Sequence, residues 1–143
     1  MSKETLDFVP PPLPPKNNKI SSAFSYNFKL ALTDRGAAIL QEKCPNIRLL
    51  NVTAGADGSY SYYGGQKVFV PACKLGGAIE TTGAGDTFCA CVLNYVLKHG
   101  LDGLTISNLT EMLHFANTAA YLVTTRKGAI RSMPGRTEIA ALL

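Results

Sequence analysis

The sequence predicts an α/β sandwich, and three observations carry that prediction. Short apolar segments at 47–53, 59–63 and 66–70 have strand length and β-branched or aromatic content, and the last two flank Gly64-Gly65. Two longer segments, 88–96 and 112–123, repeat apolar residues at helical spacing. The elements run helix, strand, hairpin, helix, helix, an order that suits a sheet layered with helices better than an all-α fold.

Taken in chain order, residues 1–28 read as a leader, disordered or linker-like, because VPPPLPPKNNK favours polyproline geometry and SSAFSYN follows it. Pro11-Pro12-Leu13-Pro14 also fits P-x-x-P, the form of an SH3-type ligand, although a plain linker or tail is the better account. Thr33-Asp34 suits the N-cap of a short helix ending near Lys43, just before Pro45. Ile47–Thr53 reads as a largely buried strand that stops at Ala54-Gly55-Ala56-Asp57-Gly58. Ser59–Tyr63 and Gln66–Val70 then form a hairpin about Gly64-Gly65. After Asp86, Phe88, Cys91, Val92, Tyr95 and Val96 make one apolar helical stripe. Lys98 and His99 in its last turn, followed by Gly100, suit a helix C-terminus. Asn108 with Glu111 three residues on resembles a capping box, opening a helix whose inner stripe is Met112, Leu113, Ala116, Ala119, Ala120 and Val123. Thr137–Leu143 is expected to close the chain as a short helix. No internal repeat is visible.

Composition bounds the function. A chain of 143 residues suits one domain with room for a core, and 46% apolar with 17% charged residues describes a globular protein. The net charge of +4 is mild and spread along the chain, so it does not argue for nucleic acid as a partner. No apolar run reaches membrane-spanning length, and MSKETLDF lacks the apolar core of a signal peptide, so a cytoplasmic location away from membranes is expected. Cys44, Cys73, Cys89 and Cys91 show no metal-ligand spacing and are expected to be buried free thiols.

The stretch Thr81-Thr82-Gly83-Ala84-Gly85 sets five small residues directly before Asp86. A turn without bulky side chains, feeding a helix N-terminus, offers free N–H groups and the positive end of a dipole to an anion. A carboxylate beside such a site has two readings. Asp86 is either a first-turn helix residue, or it faces a hydroxyl that loses a proton while attacking the anion.

Glu80-Thr81-Thr82-Gly83-Ala84-Gly85-Asp86-Thr87-Phe88 is similar to the D-T-x-G-A-G-D signature of the ribokinase-like (PfkB) carbohydrate kinases. Two further blocks agree in order and spacing. Val52-Thr53-Ala54-Gly55-Ala56-Asp57-Gly58 resembles the family's V-T-x-G-x-x-G nucleotide loop, and Phe115–Ala120 with Thr124–Ala129 and Met133-Pro134 resembles its A-N-A-A…T-R-K-G-A…P block. The resemblance covers about residues 30–143, and its wording is closest to bacterial fructokinases and ribokinases.

That resemblance implies the C-terminal half of a three-layer ribokinase-like sandwich, acting in ATP-dependent phosphorylation of a sugar hydroxyl with Mg2+ and, in several members, K+. It implies that Asp86 is the catalytic base and that Gly83, Ala84 and Gly85 form the anion hole. It implies that Thr53, Gly55 and Gly58 line the ATP phosphates and ribose, and that Asn117 approaches adenine. Glu80, Thr82, Thr125 and Gly128 match positions around a monovalent cation, although Glu80 stands where the family usually has Asp. No G-x-x-x-x-G-K-[ST] occurs, which argues against a P-loop NTPase. Full members are about twice this length, and residues 1–28 carry neither their sugar-binding segments nor their N-x-x-E motif; Asn17-Asn18-Lys19-Ile20 does not fit it. Three readings follow: a fructokinase-like kinase read from its C-terminal half, a nucleoside kinase of the same family, and a non-catalytic nucleotide-binding module. An open strand edge is expected where the absent half would pack, with self-association, as a homodimer, covering it.

Overall fold

The computed structural model describes residues 33–143. Alternation along Gly58–Tyr63 (β2) sets the layering. Ser59 and Ser61 point to one face of the sheet and Tyr60 and Tyr62 to the other, and all four are buried. A strand buried on both faces needs cover on both. Leu49–Thr53 (β1) and Gln66–Pro71 (β3) flank β2 in an antiparallel meander, with Asn51 opposite Ser61 and Ser61 opposite Val68. Gly64 and Gly65 join β2 to β3 with φ of 55° and 77°, the positive pair that a two-residue type I′ hairpin requires.

On the serine face lie two long helices, Ala84–His99 (α2) and Ile106–Thr124 (α3). Val68 and Val70 of β3 pack there with Phe88 and Val92 of α2 and with Leu109, Met112 and Leu113 of α3. The serines and Ala116 keep that side of the sheet narrow, so α3 lies close to it. On the tyrosine face, Ala37 of α1 (33–43) packs against Tyr60 and Tyr62. Lys67 Nζ reaches Asp34 at 2.5 Å and the Tyr62 hydroxyl donates to the same carboxylate at 2.8 Å. The Lys67 ammonium holds the Asp34 carboxyl below its ordinary range. The result is the expected three layers: α1, sheet, and α2 with α3. Arg136–Ala140 (α4) follows α3 through an irregular connection that includes a 3-10 turn at Ile130–Ser132.

Several boundaries move. β1 begins at Leu49 rather than Ile47, because Arg48 turns out to the Leu101 carbonyl at 3.1 Å and the Asp102 carboxylate at 2.5 Å. α3 begins at Ile106, so Asn108 is not its N-cap. Thr105 is: its hydroxyl accepts from Asn108 N at 3.3 Å while Asn108 Oδ1 accepts from Thr105 N at 3.0 Å, a capping box three residues early with Asn in place of Glu. α4 ends at Ala140 rather than Leu143. The cysteines are free, as expected, but not buried. Cys44 and Cys89 are exposed and Cys73 and Cys91 partly so, because Cys89 sits off the core stripe of α2. The expectations for residues 1–28, and the P-x-x-P motif, lie outside the described residues. Among the described residues, no helix is long and apolar enough to cross a membrane.

One buried amide ties α3 to the hairpin. Asn117 accepts from Ser59 Oγ at 2.8 Å and donates to the carbonyls of Val70 at 3.0 Å and Pro71 at 3.2 Å. Removing it strands a buried hydroxyl and two carbonyls, and an unsatisfied buried group costs more than the net value of its bond. Asn117→Ala is expected to destabilise the fold by about 2–4 kcal/mol in urea denaturation. Asn94→Ala, on the exposed side of α2, should stay within about 0.5 kcal/mol of wild type.

Candidate functional site

The turn before α2 is built by contact with the end of α3. Ile79 N and Glu80 N both donate to the Thr124 carbonyl, at 2.7 and 3.1 Å. Glu80 Oε2 accepts from Gly128 N at 3.3 Å and a further hydrogen bond from Thr82, and these donors hold its carboxyl below the usual range. Gly83, the N-cap residue, has φ 86°. A Cβ there would lie 2.8 Å from Ala129 Cβ and 3.1 Å from Ala129 Cα, so the close approach excludes any side chain as well as favouring glycine by φ.

A helix leaves its first N–H groups without intrahelical partners. Here Ala84 N donates to Thr81 O at 3.3 Å and Thr87 N to Gly83 O at 2.9 Å. Gly83 offers no side-chain cap. No backbone bond ties the N–H groups of Gly85 and Asp86, both residues are exposed, and nothing lies within 4 Å of where a Gly85 Cβ would stand. Asp86 is exposed in the same turn. An uncapped N-terminus on a sixteen-residue helix is suited to an anion.

Thr53 and Gly85 line one open pocket of about 610 Å³ between β1 and α2. The 54–58 loop is a single 3-10 turn, closed by Ala54 N to Gly58 O at 2.8 Å. Gly55 stands open in it. Gly58 is packed: a Cβ would meet Val70 O at 2.2 Å, so this glycine is needed by the hairpin whatever else it does. Asn117 is not on an open helix surface. Its amide is engaged as described, and its edge borders a second pocket of about 470 Å³ with Cys73, Glu111, His114 and Leu143.

The residues proposed around a cation divide. Glu80, Thr82 and Gly128 come together, but what faces Glu80 Oε2 is an N–H and a hydroxyl, not further oxygen ligands. Thr125 Oγ1 turns back to Leu122 O at 2.8 Å. These residues fit a hydrogen-bonded anchor for the turn. Among the described residues, no group of three or more His, Cys, Asp or Glu is placed to hold a metal ion. Two residues escaped the sequence reading. Asn51 lines the Thr53–Gly85 pocket, and its Oδ1 is shut from solvent with no hydrogen-bond partner, as is Thr87 Oγ1 beside Asp86. The signal for Asn51 was a lone amide inside the apolar strand LLNVT.

The profile of the pfkB family of carbohydrate kinases matches residues 25–136. Fructokinase-1 of Zea mays is 35% identical over 99 residues, covering 69% of this chain and 30% of its own length. Fructokinase from Vibrio cholerae O395, crystallised with fructose, ADP and calcium ion, superposes with TM-score 0.58 at 28% identity, over 68% of this chain and 31% of its own. Arabidopsis thaliana ribokinase, complexed with ribose and ATP, does so with TM-score 0.59 at 30% identity, over 73% of this chain and 32% of its own. The chain spans about a third of the length of these relatives.

The Gly83 contact is directly testable. Gly83→Ala is expected to cost about 2–4 kcal/mol in thermal or urea unfolding, from positive-φ strain and the clash with Ala129. Adding Ala129→Gly should recover about 1 kcal/mol of that, the clash alone, since the φ strain remains. Full additivity of the two substitutions would show that the contact does not shape the turn.

Proposed function

The chain belongs to the pfkB family of carbohydrate kinases, and from that premise we propose that it forms the nucleotide-side part of an ATP-dependent kinase acting on a sugar hydroxyl, with fructose as the leading acceptor. The observation that carries this reading is the convergence of Thr53 and Gly85 on one pocket, although 32 residues separate them in sequence. In the proposal, the phosphate chain of ATP runs along the 53–58 loop toward α2. The Gly83–Asp86 turn receives the transferring phosphoryl group on its untied N–H groups, with the dipole of α2 behind them. Asp86 accepts the proton of the attacking hydroxyl, and the base of the nucleotide lies toward the pocket at Asn117.

This division of labour suits the chemistry. A loose phosphoryl-transfer transition state needs in-line positioning and charge stabilisation more than covalent help. Open backbone donors at a rigid helix end stabilise charge without reorganising during reaction. A divalent cation arriving with the nucleotide, Mg2+ in this reading, supplies further neutralisation of phosphate charge. The Glu80 and Thr125 side chains are engaged within the turn, so the backbone carbonyls of residues 125–129 would be the ligands left for a monovalent cation such as K+. The same pocket and turn would also serve a nucleotide-binding module without catalysis, a second reading in which Asp86 is only a first-turn helix residue. A nucleoside acceptor stays open within the kinase reading, because acceptor choice falls to residues outside the matched segment.

Two experiments separate these readings. Calorimetric titration with ATP and ADP is expected to give weak binding, with no robust turnover of fructose, ribose or adenosine in a coupled ADP-release assay on the chain alone. Holding an acceptor in line contributes about 7–11 kcal/mol, and that grip comes from outside this chain. No heat at millimolar nucleotide would end the nucleotide reading, and brisk turnover by the isolated chain would misplace the sugar site. In a complete kinase carrying this segment, Asp86→Asn should lower kcat by about 10²–10⁴-fold while nucleotide affinity changes little. Near wild-type turnover would leave Asp86 as a first-turn helix residue only.

A further inference from the structure

The amide of Asn117 is not free to read a base. Its Oδ1 and Nδ2 are spent on Ser59, Val70 and Pro71, and three such bonds also fix which way the amide points. The pocket beside it, of about 470 Å³, has room for a purine, with Pro71, Ala72 and Leu142 as apolar lining. Two other side chains of α3 reach that pocket. His114 and Thr118 stand one helical turn apart and so share a face of the helix. His114 is exposed, whereas Thr118 is 4% exposed, a buried hydroxyl residue in the pocket wall. Among the described residues neither side chain makes a hydrogen bond, and the Thr118 hydroxyl is not sealed from solvent. The other polar groups there are less suited. Glu111 already accepts from the Tyr95 hydroxyl at 3.2 Å, and burial keeps the Cys73 thiol protonated, a weak donor.

We propose that Thr118 and His114 read the edge of the nucleotide base in place of Asn117, and that the site accepts 6-amino and 6-oxo purines alike. This inference rests on the nucleotide reading, and it names the donor class that the pocket would take. Adenine presents a donor amino group at position 6 where guanine presents an acceptor oxygen. A carboxamide locked in one orientation complements only one of these. A hydroxyl rotates, and it both donates and accepts. A neutral imidazole carries one donor and one acceptor nitrogen and exchanges them by changing tautomer. The pair therefore complements either purine while α3 stays where Asn117 pins it.

The test is an NMR titration of the full 143-residue chain with ADP and with GDP. Both should bind with dissociation constants within about fivefold of each other, and both should shift the backbone amides of Cys73 and Thr118. Thr118→Val keeps the shape and removes the hydroxyl. It should weaken both nucleotides about three- to tenfold with unchanged melting, because that hydroxyl has no protein partner to lose. Thr118→Ser, which keeps a hydroxyl, should retain most of the affinity. His114→Leu, at an exposed position, should give a similar loss and serves should the valine variant misfold. A wild-type chain that binds ADP but discriminates against GDP more than fivefold would overturn the proposal. So would variants that bind ADP as the wild type does, or shifts that avoid Cys73 and Thr118. A wild-type chain that binds neither nucleotide would end the nucleotide reading itself, and this inference with it.

Discussion

Gly83 has no side chain because Ala129 occupies the space where one would stand, and the candidate site is arranged around that contact. It brings the N-terminus of α2 against the turn that follows α3, two regions 46 residues apart in sequence. The hydrogen bonds from Ile79 and Glu80 to Thr124 and from Gly128 to Glu80 run across the same junction. With the turn pinned from behind, the untied N–H groups of the exposed Gly85 and Asp86 sit on a fixed backbone. Preorganised donors of this kind stabilise developing charge without rearranging. Placing them on the end of a long packed helix, rather than on a free loop, is what makes them rigid.

The sheet reaches the same end by different means. β2 alternates serine and tyrosine, so one face is thin and polar and the other bulky and aromatic. The thin face lets α3 approach, and Asn117 locks it there through Ser59, Val70 and Pro71. The bulky face receives α1 through Ala37, with Lys67 and Tyr62 both reaching Asp34. Asn117 matches a family position implied to approach adenine, but its amide is spent inside the protein. Its influence on any nucleotide in the neighbouring pocket is therefore through the shape of the α3–hairpin junction.

The side of β1 away from β2 is different in character. Among the described residues the sheet ends there, a groove opens beneath α2, and Ile47 and Leu93 are exposed beside it. Edge strands of globular proteins are normally blunted by charge, proline or a bulge. Leu49–Thr53 carries none of these.

What the sequence determined by itself was local and periodic. The hairpin was legible from Gly64-Gly65 between alternating strands, the inner stripes of α2 and α3 from their spacing, and the tight turn into α2 from Gly83-Ala84-Gly85. Each depends on near neighbours in the chain, where φ preferences and side-chain period act directly. Tertiary structure decided the rest. The cap of α3 moved from Asn108 to Thr105 because a capping box forms where the chain turns into the bundle, and Asn108 could serve as its partner as well as Glu111 could. The anchoring of Glu80 by Gly128, the engagement of the Asn117 amide and the convergence of Thr53 with Gly85 join residues 32 to 58 positions apart. No local preference encodes such contacts. They exist because two layers of helices close on one narrow sheet and bring those distant groups together.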